Sequence, residues 1–209
     1  KRGLIEKAPH ILRPPKPPPR DRWMTREEAR AMIDAAAWPH ARLAMILLLS
    51  TAARVSAILE LTWDRVDFEA GTIQLSDDLN SSRKKSRATV PMNAMARAAL
   101  TEAKTGAVSD HVIEYGGKPI KSLKKAIAGA AKRAKLEGIS AHVFRHTAAV
   151  WMAEGRVPME RIAQFLGHRD SKVTERIYAR FSPDHLREEA EVLNLGIWAA
   201  GSPGPKNRL

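Results

Sequence analysis

The chain has 209 residues and a formal net charge of +12, with 35 Lys and Arg set against 23 Asp and Glu, and that excess points to a polyanionic partner, nucleic acid first. A hydrophobic content of 44% is enough for one substantial core, while the longest apolar run, around Leu43 to Leu49, is too short to cross a bilayer. The absence of cysteine excludes disulfides and thiolate metal sites.

Residues 1–20 are basic and rich in proline, with Pro14, Pro15, Pro17, Pro18 and Pro19 favouring an extended polyproline conformation, so this segment reads as an interdomain linker. No apolar signal-peptide core follows the basic start, which fits a cytosolic setting. A chain that opens on Lys1 is expected to be a processed product or a fragment lacking an N-terminal part.

The folded domain is expected over residues 21–182. Thr25 and Glu28 have the spacing of a capping box, and Ala29, Met32, Ile33 and Ala36 continue at helical period. A second helix, apolar on most sides, is expected from Pro39 to Thr51, and a third just after Arg54 with Val55, Ile58, Leu59 and Leu61. Thr72 to Leu75 and Thr89 to Val90 read as short strands joined by a long basic hairpin tip, Asn80 to Ser86. Helical patterns follow near Asn93 to Lys104, Ser122 to Leu136, His142 to Gly155, Pro158 to Leu166, Lys172 to Ala179 and Pro183 to Leu195. The fold class is therefore mainly α with a small antiparallel sheet, an α+β arrangement. Residues 183–209 are expected to form a C-terminal helix and tail.

The basic residues cluster as well. Lys118, Lys121, Lys124, Lys125, Lys132, Arg133 and Lys135 occupy a segment with no Asp or Glu to offset them.

The chemistry concentrates between His142 and Tyr178. His142 and Arg145 stand at helical spacing and leave one helix face, so they can converge on a small ligand, although an isolated His-x-x-Arg recurs by chance. Gly167 is placed to cap the helix opened by Pro158, which delivers His168 from the end of a rigid element. Tyr178 follows, one of only two tyrosines in the chain.

Ala53-Arg54-Val-Ser, His142-x-x-Arg145, Leu166-Gly-His168 and Tyr178 together resemble, in order and approximate spacing, the motifs of the tyrosine recombinases, the phage integrase family. The resemblance spans nearly all of residues 21–182 and implies that family's catalytic-domain fold. It implies DNA strand transesterification without ATP, cofactor or metal. Tyr178 would attack the scissile phosphate to give a 3′-phosphotyrosyl link, and a 5′-hydroxyl would later attack that link and reseal the strand.

Arg54 and Arg145 would grip the non-bridging oxygens, since guanidinium groups donate in a planar fork and stay charged. His168 would add a donor to the pentavalent transition state, and His142 would serve in proton transfer. His146, one turn after His142, is expected to have a structural or DNA-backbone role.

The family's acid for the leaving oxygen is a hairpin lysine, for which Lys84 is the choice and Lys85 the reserve. Arg83 falls at the position aligned by count, but arginine is too weak an acid. The same tip also reads as a basic loop that touches phosphates without chemistry. Ala52 and Ala57 stand where the family often has a glycine and an acidic residue, which bears on the local turn and on acidic support for Arg54.

The resemblance implies double-stranded DNA as partner and a homotetramer on two duplexes, with a monomer in isolation and accessory DNA-bending proteins as further expectations. Pro183 to Trp198 would pack on a neighbouring protomer or fold back on its own domain. Two other readings stay open: a type IB topoisomerase-like enzyme, which reseals the same strand of one duplex, and a non-catalytic DNA-binding accessory protein.

Overall fold

A computed structural model of the chain describes residues 22–75, 89–168 and 170–183. The linker at 1–20, the hairpin tip with Lys84 and Lys85, and the C-terminal segment beyond residue 183 lie outside these described residues.

The domain starts with the expected capping box. The Thr25 hydroxyl accepts from the Glu28 amide, and the Glu28 carboxylate accepts from the Thr25 amide, which satisfies two orphan donors of α1 (Arg26–Asp34). The segment just before it is strapped to the middle of the domain: the Met24 amide donates to Thr147 Oγ1 at 2.9 Å, and the Trp151 indole N–H donates to the Met24 carbonyl at 3.1 Å.

Helix α2 (Pro39–Thr51) opens with proline at its first position, where no amide donor is needed, and buries Leu43 through Leu49 on every side. An amphipathic helix would leave a polar face, so a helix apolar all round has to run through the core. It packs against α6 (Ala141–Glu154), which is buried continuously from Val143 to Val150, and against α4 (Ala94–Thr105). Between α2 and α3 (Val55–Leu59) the chain turns at Ala52, whose backbone is left-handed with φ 50° and ψ 23°. That conformation favours glycine, and it accounts for the turn that the sequence left open.

A 3-10 turn at Trp63–Arg65 leads into β1 (Val66–Asp67), β2 (Thr72–Gln74) and β3 (Thr89–Pro91), an antiparallel sheet in the order β1-β2-β3. Ile73 pairs with Val90, and both face the core. β1 has no counterpart among the sequence expectations. Neither do β4 (Glu114–Tyr115) and β5 (Lys118–Pro119), which are joined through Gly116 and Gly117; both of those glycines have positive φ, as a tight two-residue hairpin demands.

Helix α5 (Lys124–Arg133) is narrower than its periodic pattern, with Ile127, Ala130 and Ala131 buried and its lysines exposed. After α6 come α7 (Met159–Leu166) and α8 (Ser171–Tyr178), which pack on each other, and a closing 3-10 turn at Ala179–Phe181. Pro158 sits at the cap just outside α7 rather than inside its first turn, while Gly167 ends the helix in the left-handed conformation, φ 64°, as expected. Among the described residues no helix is long and apolar enough to span a membrane.

Candidate functional site

The C-terminal ends of α2 and α7 and the N-terminal half of α6 meet at Arg145. Only 6% of this residue is exposed, and its guanidinium ties the three elements together. Nη1 donates to the Ala52 carbonyl at 2.6 Å, and Nη2 donates to the Leu166 carbonyl at 2.8 Å and lies 3.0 Å from His168 Nε2. Both carbonyls belong to helix ends, where the backbone has no intrahelical donor left, so a cation there satisfies orphan acceptors and complements the helix dipoles. Guanidinium carries five N–H groups; Nε–H and one N–H on Nη1 have no acceptor among the described residues.

The contact with Arg145 settles the protonation of His168. A guanidinium can only donate, so Nε2 must accept, and the ring proton sits on Nδ1, which donates to Thr174 Oγ1 at 2.8 Å. Burial lowers the His168 pKa from its ordinary value, and the charges of Arg145 and Arg54 lower it further. The resting ring is neutral. Thr174 is buried on α8 one turn before Tyr178, and so this histidine links the end of α7 to the helix that carries the tyrosine.

Arg54 caps α3 from outside, half-buried, with no side-chain cap bond. Among the described residues nothing accepts from its guanidinium, and Ala57, three positions on, is buried and apolar, so no acid supports it from there. Its charge is nevertheless felt across the site, depressing the pKa values of Arg145, His142 and His168. Arg145 is pushed down to about 10, by burial first and by Arg54 second. It stays protonated at neutral pH, and the two cations repel.

His142, at the start of α6, opens to solvent. The protein packed beneath its ring lowers its pKa, as do Arg145 and Arg54. Two neutral imidazoles and two guanidinium groups thus share one electropositive pocket whose members all gain from an anion. Among the described residues no group of three or more His, Asp or Glu side chains is arranged to hold a metal ion.

Tyr178 lies at the end of α8, 5% exposed, and burial raises the pKa of its phenol while the Arg145 charge opposes that rise. Its hydroxyl is 3.3 Å from His146 Nδ1, and the two rings stack tilted with centroids 5.3 Å apart. His146 is itself buried at 6% exposure, which rules out the DNA-backbone contact expected as one of its two roles; its position is internal because the α6 face it shares with Val143 and Val150 packs inward. The structure thus gathers Arg54, His142, Arg145, His168 and Tyr178 around one site, whereas Lys84 lies outside the described residues. Sequence reading missed Thr174 and the His146 contact. The signal for Thr174 was present in its placement on the Tyr178 face of α8.

A comparison with known proteins agrees with this geometry. The phage integrase family model matches residues 22–185. The integrase of Salmonella phage P22 is 27% identical over 205 residues, covering 91% of this chain and 52% of that protein, so the chain spans about half the length of that relative. Among solved structures, the Tn1549 transposon integrase in complex with circular intermediate DNA superposes with a TM-score of 0.70 at 16% identity, covering 84% of this chain and 68% of that one. A lambda integrase tetramer bound to a Holliday junction superposes with a TM-score of 0.65 at 19% identity, covering 81% and 51%. With the motifs, the helical architecture and a family match over most of its length in agreement, the chain belongs to the phage integrase family.

Proposed function

We propose that this chain is the catalytic part of a site-specific DNA recombinase of integrase type, which breaks and rejoins double-stranded DNA through a covalent 3′-phosphotyrosine at Tyr178. The observation that carries this reading is the convergence of one phenol, two guanidinium groups and two neutral imidazoles on a single site that, among the described residues, has no acid to neutralise it. A phosphodiester supplies the missing negative charge. In this reading Arg54 and the two uncommitted N–H groups of Arg145 hold its non-bridging oxygens. His168 takes a proton on Nε2 as the phosphate enters and donates it to the same oxygens, and His142 exchanges protons at the solvent-facing edge.

Lys84, with Lys85 in reserve, is the acid for the departing 5′-oxygen. The proposed domain limits are residues 1–20 as a linker, 21–182 as the part that carries the chemistry, and 183–209 as a segment that packs on a neighbouring protomer or folds back on its own domain. Double-stranded DNA is the partner, and a tetramer on two duplexes is the working assembly, by analogy with the Tn1549 integrase bound to circular intermediate DNA and the lambda integrase tetramer bound to a Holliday junction. The setting is the compartment that holds the DNA, the bacterial cytoplasm.

A library of nicked suicide duplexes, which lose the 5′-hydroxyl acceptor on cleavage, tests the reading. The expected result is a protein–DNA adduct that survives a denaturing gel with the wild-type chain and is absent, at least 1000-fold down on the order of a lost nucleophile, with Tyr178→Phe. No adduct from wild type, or an equal one from the variant, defeats it. Salt-sensitive binding without adduct identifies an accessory protein, and site-independent relaxation of supercoiled plasmid a topoisomerase.

A further inference from the structure

Among the described residues the Tyr178 hydroxyl has one hydrogen-bond partner, and it is none of the four side chains that frame the phosphate pocket. It is His146, whose Nδ1 lies 3.3 Å away. His142, the histidine expected to move protons, stands a full turn earlier on α6 and faces solvent. His146 follows Arg145 directly, so the helix turns it away from the phosphate grip and under the nucleophile.

The ring is held there by two aromatic neighbours, one of them braced in turn. Tyr178 stacks on it at 5.3 Å, the edge of Phe181 meets it at 6.4 Å and 81°, and Phe181 is in turn braced by Trp23 at 5.0 Å and 68°. Trp23 belongs to the segment strapped to α6 through Met24, so the aromatic stack rests on rigid core. Nothing in this arrangement is needed to pack an apolar core, which a leucine or phenylalanine would fill without a buried polar group to satisfy.

A nucleophilic phenol has to lose its proton, and here burial makes that loss harder. The charged neighbour that faces this pair, Arg145 on α6, favours the phenolate but cannot accept a proton. An imidazole nitrogen can.

We propose that His146 is the proton acceptor for Tyr178, a further catalytic residue of the transesterification assigned above, on which this inference rests. As the phenol oxygen bonds to phosphorus, its O–H proton passes to His146 Nδ1. The bond from phosphorus to the 5′-oxygen breaks, and that oxygen leaves as a hydroxyl with a proton from a cationic ammonium acid of the hairpin. On resealing, a 5′-hydroxyl attacks phosphorus, its proton returns to that amine, and the departing phenolate recovers its own from the His146 imidazolium. The distance of 3.3 Å is long for such a bond, as it commonly is before substrate tightens the site.

Two measurements test this. The first is single-turnover adduct formation on nicked duplexes with His146→Gln and His146→Phe, the former keeping a polar side chain and the latter the ring packing. The expected result is DNA affinity and melting temperature near wild type for His146→Gln, adduct formation about 100-fold slower near pH 7, and a rate that climbs with pH as the phenol ionises unaided. An unchanged rate and pH profile in a folded variant overturns the proposal.

The second is the ¹⁵N signature of the His146 ring in the wild-type chain, which requires no activity. The proposal demands an unprotonated Nδ1 accepting from Tyr178, with its shift moved by Tyr178→Phe; a protonated Nδ1 that donates to the phenol overturns it. A chain that forms no adduct on any duplex and still shows the accepting Nδ1 defeats the recombinase reading, and with it the catalytic role, while the contact itself stands. An active chain with a donating Nδ1 defeats the His146 assignment alone.

Discussion

Arg145 and Arg54 serve the same pocket from two regions that the fold treats in opposite ways. Around Arg145 the chain has closed in: two helix ends surrender their last carbonyls to it, a histidine leans on it, and little of it reaches solvent. Around Arg54 the same chemistry is left open, on the cap of a short helix with no acceptor among the described residues. The difference separates two tasks that a phosphate site has to perform together. Arg145 holds the ends of α2 and α7 at a fixed distance whether or not DNA is present, whereas Arg54 contributes charge that only a bound anion repays.

Arg145→Lys should give the largest effect, because it keeps the charge and removes the fork. A lysine ammonium reaching one helix end leaves the Ala52 or the Leu166 carbonyl without its donor, at a cost of about 1–3 kcal/mol in folding stability. Adduct formation should fall by about 100-fold or more. Urea unfolding and the suicide-substrate assay check both; a variant as stable as wild type means that the carbonyl bonds do not matter to the fold.

Arg54→Gln breaks the comparison from the other side. It should reduce adduct formation by a similar factor of about 100. Its stability should equal or exceed that of wild type, since removing this charge relieves Arg145. A loss of melting temperature matching that of Arg145→Lys would erase the distinction between the two regions.

A smaller effect should come from pH. His142 and His168 hold protons less tightly in the folded site than in the unfolded chain, so at mildly acid pH the unfolded chain binds more of them. The stability they contribute is present above the ordinary histidine value, about 6.5, and is lost as pH falls through their lower folded values. Denaturation midpoints between pH 7.5 and 5.5 should therefore drop toward acid, with a shallower drop in His168→Gln. A rise in stability toward acid would contradict the sign.

The smallest change should follow Ala52→Gly. Glycine relieves a left-handed alanine by about 1 kcal/mol but removes a buried methyl worth about 0.8 kcal/mol, so the net shift should stay under about 1 kcal/mol. A larger loss in unfolding experiments would show that this methyl, not the turn, fixes the carbonyl that Arg145 holds.

These contrasts also explain what sequence reading reached. Helix α2 was legible to its ends because proline opens it and its apolar run admits no other element. Gly167 marked the end of α7 through backbone geometry alone. Arg54, His142, Arg145, His168 and Tyr178 were legible as candidate residue types in order, and the fold brings them near one another. Strands β1, β4 and β5 were not, for two residues carry no periodicity.

Nor could sequence show that Arg145 is spent largely on backbone carbonyls, because a carbonyl has no letter of its own. Sequence could not choose between the structural and DNA-backbone roles expected of His146 for a related reason. Which face of α6 turns inward depends on α2 and α8, not on the heptad of α6 itself.

The imidazole of His168 grips Thr174 with one nitrogen and Arg145 with the other. Gaining a proton changes only the Nε2 side, since Nδ1 already carries one in the neutral ring and keeps it in the charged ring. The tether to Thr174 therefore outlasts titration, and α8 keeps its anchor while the opposite edge of the ring switches from acceptor to donor. The ring works as a bearing, fixed to the helix of Tyr178 on one side and turning through its charge states on the other.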